Sequence, residues 1–144
     1  MVDKATRSRM MAGIGSKDTR PEMKLRRAFH AAGFRYRLHV RGLPGKPDLV
    51  FPKFRAVIFV HGCFWHRHED CRLASTPATN SMFWQEKFLA NVERDKRNLS
   101  ALNDLRWRTA IVWECAARKM SGEQIVNAVS PWLRDGGGFL VISS

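Results

Sequence analysis

A chain of 144 residues, 44% of them hydrophobic, has the size and apolar content of one compact domain that buries its own core. Its 25 Lys and Arg against 13 Asp and Glu give a formal charge of +12. That excess points to a polyanion, and to nucleic acid before a membrane surface, because the basic residues are spread along the chain instead of gathered on one amphipathic helix. No apolar run nears the ~20 residues of a membrane span, and no apolar signal core follows MVDKATRSRM, so the expected place is the cytoplasm.

The first twenty residues carry Lys4, Arg7, Arg9, Lys17 and Arg20 with little periodicity and read as a basic arm. Thr19-Arg20-Pro21-Glu22 then has the form of a capping box with proline in the first turn, and Met23, Ala28, Phe29 and Ala32 suit a helical stripe that Gly33 stops. A helix from about 20 to 32 is predicted. Phe34 to Val40 alternates apolar and basic residues at the period of a half-buried strand. Leu43 to Pro47 is a turn, Asp48 to Phe51 a short strand, Pro52 to Phe54 another turn, and Ala56 to His61 a buried strand.

Residues 62 to 80 lack periodicity, and a loop that long in a compact domain is usually functional. Ser81 to about Leu105 reads as one long helix with Phe83, Phe88, Val92, Leu99 and Leu102 on one side. Arg108 to Trp113 is an apolar strand, Ser121-Gly122-Glu123-Gln124 caps a helix to Leu133, and GGGFLVISS supplies a short edge strand. The fold class that follows is α/β, with helices layered on a mixed sheet. The long helical crossover calls for parallel pairing, and the tight early turns for antiparallel pairing.

Between His61 and Cys71 the chain gathers two thiols and three imidazoles, and the remaining cysteine, Cys115, follows the strand RTAIVW. In a reducing compartment three cysteines favour metal over disulfides, and three thiolates with one imidazole make a closed structural zinc site. A Cys63–Cys71 disulfide and a merely buried Cys115 are the plainer alternatives. Spacing does not choose between His66 and His68 as the fourth ligand.

PGKPDLVF, AVIFVHGCFWHRH, NVERDKRN and IVWEC, in that order, resemble the very short patch repair (Vsr) endonucleases, and KATRSRMM with DTRPE resembles their DNA-contacting arm. The resemblance implies a three-layer α/β/α, restriction-endonuclease-like fold, divided into an arm over 1–20 and one endonuclease domain over 21–144. It implies zinc on Cys63, His68, Cys71 and Cys115. It implies catalytic magnesium on Asp48 and the Val60 backbone carbonyl, and His66 as general acid or base on the attacking water. His61 and Asp95 are implied as a supporting pair, and Glu22 as an acid close to the metal waters. Met11, Phe64 and Trp65 are implied as wedges in the base stack, with Arg7 and Lys87 on the DNA.

The implied activity is magnesium-dependent nicking of duplex DNA 5′ to the thymine of a T:G mismatch, by a monomer, with a MutL-type mismatch-repair protein as a further partner. Two departures stand out. Val60 offers no hydroxyl where a family member has Thr, and HRHEDC is one residue longer between His68 and Cys71 than expected. Two other functions compete: a nickase of different sequence preference, and a zinc DNA-binding module without catalysis.

Overall fold

The computed structural model describes residues 19–144. Arg7, Met11 and nearly all of the basic arm therefore lie outside the described residues. In chain order the elements are α1 (Arg20–Ala31), β1 (Leu49–Phe51), a 3-10 turn (Pro52–Phe54), β2 (Ala56–His61), α2 (Ser81–Asp104), β3 (Arg108–Trp113), α3 (Glu114–Lys119), α4 (Gly122–Asp135) and β4 (Leu140–Ile142). One sheet holds the strands in the order β1-β2-β3-β4. β1 and β2 pair antiparallel across the 3-10 turn, whereas β2–β3 and β3–β4 are parallel, each spanned by a helical crossover.

The sheet has helices on both faces. Leu25 and Phe29 of α1 and Ile125, Val129 and Leu133 of α4 pack on Leu49, Phe51, Ile58, Ala110 and Val112. On the opposite face Leu102 and Leu99 of α2 cover Val50, Val57, Phe59 and Ile111. Strand alternation sends consecutive residues of β2 to opposite helix layers. Among the described residues, no helix is long and apolar enough to cross a membrane.

Four expectations need correction. Phe34 to Val40 is not a strand: burial does alternate there, but only Arg37 bridges to Val50, and His39 in the left-handed region at φ 54° ends any ladder. The buried stripe of α1 is Glu22, Leu25 and Phe29, while Ala32 is exposed. Thr19 does cap α1 through the Glu22 N–H, but the Glu22 carboxylate is directed at Arg26. Phe83 does not belong to the buried side of α2 either, being 58% exposed.

Two contacts far apart in sequence set the geometry around β2. The turn before Asp48 lies directly on α2: a Cβ at Gly45, whose φ is +78°, would come within 3.1 Å of Asn98 and of the Phe59 ring, so any side chain there is both strained and crowded. Arg108, at the start of β3, donates to the carbonyls of Phe54, Trp132 and Leu133 and stacks on the Trp132 ring. It thereby caps the last turn of α4, whose carbonyls lack intrahelical partners. Arg108→Met should lower unfolding stability by about 2–4 kcal/mol, read as a lower urea midpoint at unchanged slope, since three carbonyls lose a charged donor.

Candidate active site and metal cage

Two groups of polar side chains meet at the C-terminal end of β2. On the β1 side, Asp48 stands one residue before the strand and its N–H donates to the Ile58 carbonyl at 3.0 Å. Its Oδ2 accepts the Val60 N–H at 2.6 Å. A strand residue points its N–H and C=O to the same side, so the Val60 carbonyl also faces the Asp48 edge, beyond the end of β1. The Asp48 carboxyl hydrogen bonds with that of Glu22. Burial, with the neighbouring Glu22 carboxylate adding to it and the Val60 N–H opposing, raises the Asp48 pKa to about 7.

A buried acid pair beside a backbone carbonyl is a set of hard oxygen donors, the kind that suits a divalent cation of the magnesium class. Val60 turns its backbone toward Asp48, so the missing hydroxyl takes nothing from this set of oxygens.

On the α2 side, His66 Nδ1 and Asp95 Oδ2 are 2.6 Å apart. A carboxylate accepts, so the imidazole donates from Nδ1 and presents Nε2 for proton transfer. His61 stacks on His66 at 3.8 Å with the two ring planes 4° from parallel. Burial, then the His66 charge, lowers the His61 pKa to about 3, with Asp95 opposing, so His61 is a neutral ring at ordinary pH. The Asp95 hydrogen bond thus falls on His66, where the resemblance had joined Asp95 to His61. All three ligand-type groups lie within 4.8 Å of one another.

The third grouping is Cys63, His68, Cys71 and Cys115, whose ligand atoms also lie within 4.8 Å of one another. His68 Nδ1 is 3.5 Å from Cys63 Sγ and 3.4 Å from Cys115 Sγ. A tetrahedral zinc with bonds of about 2.3 Å to sulfur and 2.0 Å to nitrogen sets that separation near 3.6 Å, so the donors fit such an ion. All three cysteines are free thiols, which removes the disulfide alternative. His68, not His66, occupies the cage, and the longer spacing to Cys71 is taken up by exposed Glu69 and Asp70, the latter in the left-handed region at φ 53°. Burial pushes the Cys63 thiol up to about 12, so its thiolate requires a cation beside it.

Several contributors carry no sequence motif of their own. Trp113 stacks on His68 at 4.2 Å and meets His61 edge-on at 5.3 Å, linking the cage to the histidine pair. Arg67 ties the loop together, donating to the carbonyls of Phe64, Ala74 and Ser75 and to Thr76 Oγ1, with its guanidinium 4.0 Å over the Phe88 ring. Asn91 of α2 holds the Trp65 carbonyl at 3.2 Å. Phe64 and Trp65 are half-buried and packed in a cluster with Trp84, and Phe64 also meets Phe88. Lys87 is exposed, its Nζ 5.7 Å over the Trp65 ring.

Comparison with known proteins gives this arrangement a context. The model of the family described as DNA mismatch endonuclease Vsr matches residues 1–73. The chain is similar to the DNA mismatch endonuclease Vsr of Escherichia coli K12, with 46% identity over 134 residues, 91% of this chain and 85% of that protein. It is also similar to the type II nicking enzyme V.XorIIP of Xanthomonas oryzae pv. oryzae, 48% identical over 74% of this chain and 77% of that one. A further relative is the type II nicking enzyme V.NmeAIP of Neisseria meningitidis, 42% identical over 76% and 77%.

Proposed function

We propose, from the premise that the chain belongs to the Vsr family of DNA mismatch endonucleases, that it nicks duplex DNA 5′ to the thymine of a T:G mismatch and so starts repair of deaminated 5-methylcytosine. The observation that carries this reading is the convergence on one end of β2 of an acid pair, Asp48 and Glu22, with the His66–Asp95 pair. Acid donors for a divalent cation and an imidazole for proton transfer are what hydrolysis of a phosphodiester needs.

Asp48 and the Val60 carbonyl would hold magnesium, with Glu22 on its waters. When bound, that ion supplies charge compensation at the phosphoryl oxygens and a more acidic water. Within the chain, His66 Nε2 takes the proton from the attacking water, and Asp95 stabilises the imidazolium that forms. Neutral His61 keeps the His66 ring in plane without adding a competing charge.

Cys63, His68, Cys71 and Cys115 would hold zinc, and as its ligands they would fasten the loop carrying His66 to the end of β3. Phe64 and Trp65, braced by Trp84, together with Met11 unstack the mismatched step, where the cost is lowest. Arg7 and Lys87 neutralise phosphates. The enzyme works as a cytoplasmic monomer, with a MutL-type repair protein as its partner.

Similarity to type II nicking enzymes favours one second reading, a nickase set by sequence and not by mismatch. Nicking of end-labelled duplexes that differ only in T:G against T:A decides between them. A preference for T:G of about a hundredfold or more is expected, since unstacking a mismatched base saves a few kcal/mol. Equal rates on the two duplexes would favour the sequence-set nickase, and absence of product on both would leave a binding module.

A further inference from the structure

We propose that Arg26 is a resident counter-charge of the Glu22–Asp48 pair, which holds the two acids together and lowers the affinity of the DNA-free site for divalent cations. This rests on the reading of Asp48 as a divalent-cation ligand.

Arg26 belongs to no recognisable motif, and its place one helical turn after Glu22 suggests an ordinary surface pair. The structure buries both: the side chains of Arg26 and Glu22 are 11% and 6% exposed, with Nη2 and Oε2 3.4 Å apart. Arg26 Nη1 lies 3.2 Å from Met23 Sδ, and the Tyr36 hydroxyl donates to the Arg26 carbonyl at 2.8 Å, so guanidinium and backbone are each fixed from another side. Glu22 in turn hydrogen bonds with Asp48, and the Arg26 charge also acts on Asp48. Acid, acid and guanidinium therefore form one connected buried group.

Two buried carboxylates side by side repel, and without a compensating charge they would part or take up protons. A fixed guanidinium opposes that tendency, although burial and Glu22 outweigh it at Asp48, and it keeps the donors aimed. It also repels an incoming dication, because the site carries one more positive charge than the acids alone would present. A DNA phosphate at the site restores the missing negative charge, so cation and substrate favour each other's binding, and by linkage each does so to the same extent.

The test is the affinity of the DNA-free protein for manganese, measured by calorimetry. Arg26→Met should bind manganese at least about fivefold more tightly than wild type, because a like charge has been removed from a partly desolvated site. Arg26→Lys, which keeps the charge, should stay within about twofold. If the methionine variant does not fold, Arg26→Gln, which keeps a donor for Glu22, carries the same expectation. Folded neutral variants that bind no more tightly than wild type overturn the inference, as does the absence of measurable binding in both. An Asp48→Asn control separates this inference from its premise. If it leaves manganese binding intact in the Arg26→Met background, the metal-site reading fails. If it removes binding while Arg26→Met shows no gain, only the role of Arg26 fails.

Discussion

Asp48→Asn is expected to lower nicking by about a thousandfold or more at saturating magnesium, the scale of losing charge stabilisation at the reacting phosphoryl group. The same variant should raise the thermal midpoint of the metal-free protein above pH 7. Both effects come from one geometry. The carboxamide oxygen can still accept the Val60 N–H that Asp48 Oδ2 takes at 2.6 Å, and the amide can donate to Glu22. What disappears is a buried negative charge.

Folding raises the Asp48 pKa from 3.8 to about 7 through burial and the neighbouring Glu22, so the folded chain favours the protonated acid. The associated stability is present below the unfolded-state value and is lost as the pH climbs through about 7. Wild type should therefore lose stability across that window, and the Asn variant should lose less. Thermal scans in chelator at pH 4, 6 and 8, run beside a nicking assay, check both halves. Wild-type nicking by Asp48→Asn removes the acid from the mechanism, and parallel stability curves for the two proteins remove the argument from burial.

Cys115→Ser should cost the protein its zinc, its activity and much of its local order together. Cys115 is the one ligand that comes from outside the 62–80 loop, at the start of α3, and its N–H also reaches Cys63 Sγ at 3.4 Å. Binding energy of a structural zinc is folding energy, and three local ligands leave the loop without its tie to β3. Zinc content after dialysis is expected to fall from about one per chain to well below half, and the melting midpoint to fall by about 10 °C or more. Activity goes with it because His66 lies between Cys63 and His68. A serine variant that keeps stoichiometric zinc and the wild-type midpoint would reduce the cage to its loop ligands.

Where local pattern governs, the sequence was a good guide: α1, α2 and α4 fall within two residues of their expected limits, and the buried run of β2 matches its bounds. The antiparallel and parallel pairings followed from connection length. α3 was not foreseen, because six residues are too short for a helical period and its end is completed from afar: Lys24 Nζ of α1 takes the carbonyls of Ala117 and Met120, both at 2.7 Å. The 34–40 segment shows the opposite failure, a strand-like pattern in which alternation of burial survives without a ladder.

At the site, the four cage residues were legible once the family resemblance broke the tie between His66 and His68. The partner of Asp95 was not, since it depends on how the loop settles on α2 through Asn91 and Arg67. Arg26 was invisible because an arginine four residues after a glutamate is commonplace on exposed helices.

The strand β2 also fixes where evolution can change the length of this chain. From Asp48 to Cys63 every step is counted: Asp48 must meet Val60, His61 must face α2, and Cys63 must reach the cage. A single insertion or deletion within β2 would turn His61 into the opposite helix layer and slide Asp48 off its donor. Between His68 and Cys71 the chain instead bulges into solvent, and the additional residue there leaves the cage dimensions intact. Length polymorphism among natural variants should therefore collect at Glu69 and Asp70 and stay out of the strand eight residues upstream.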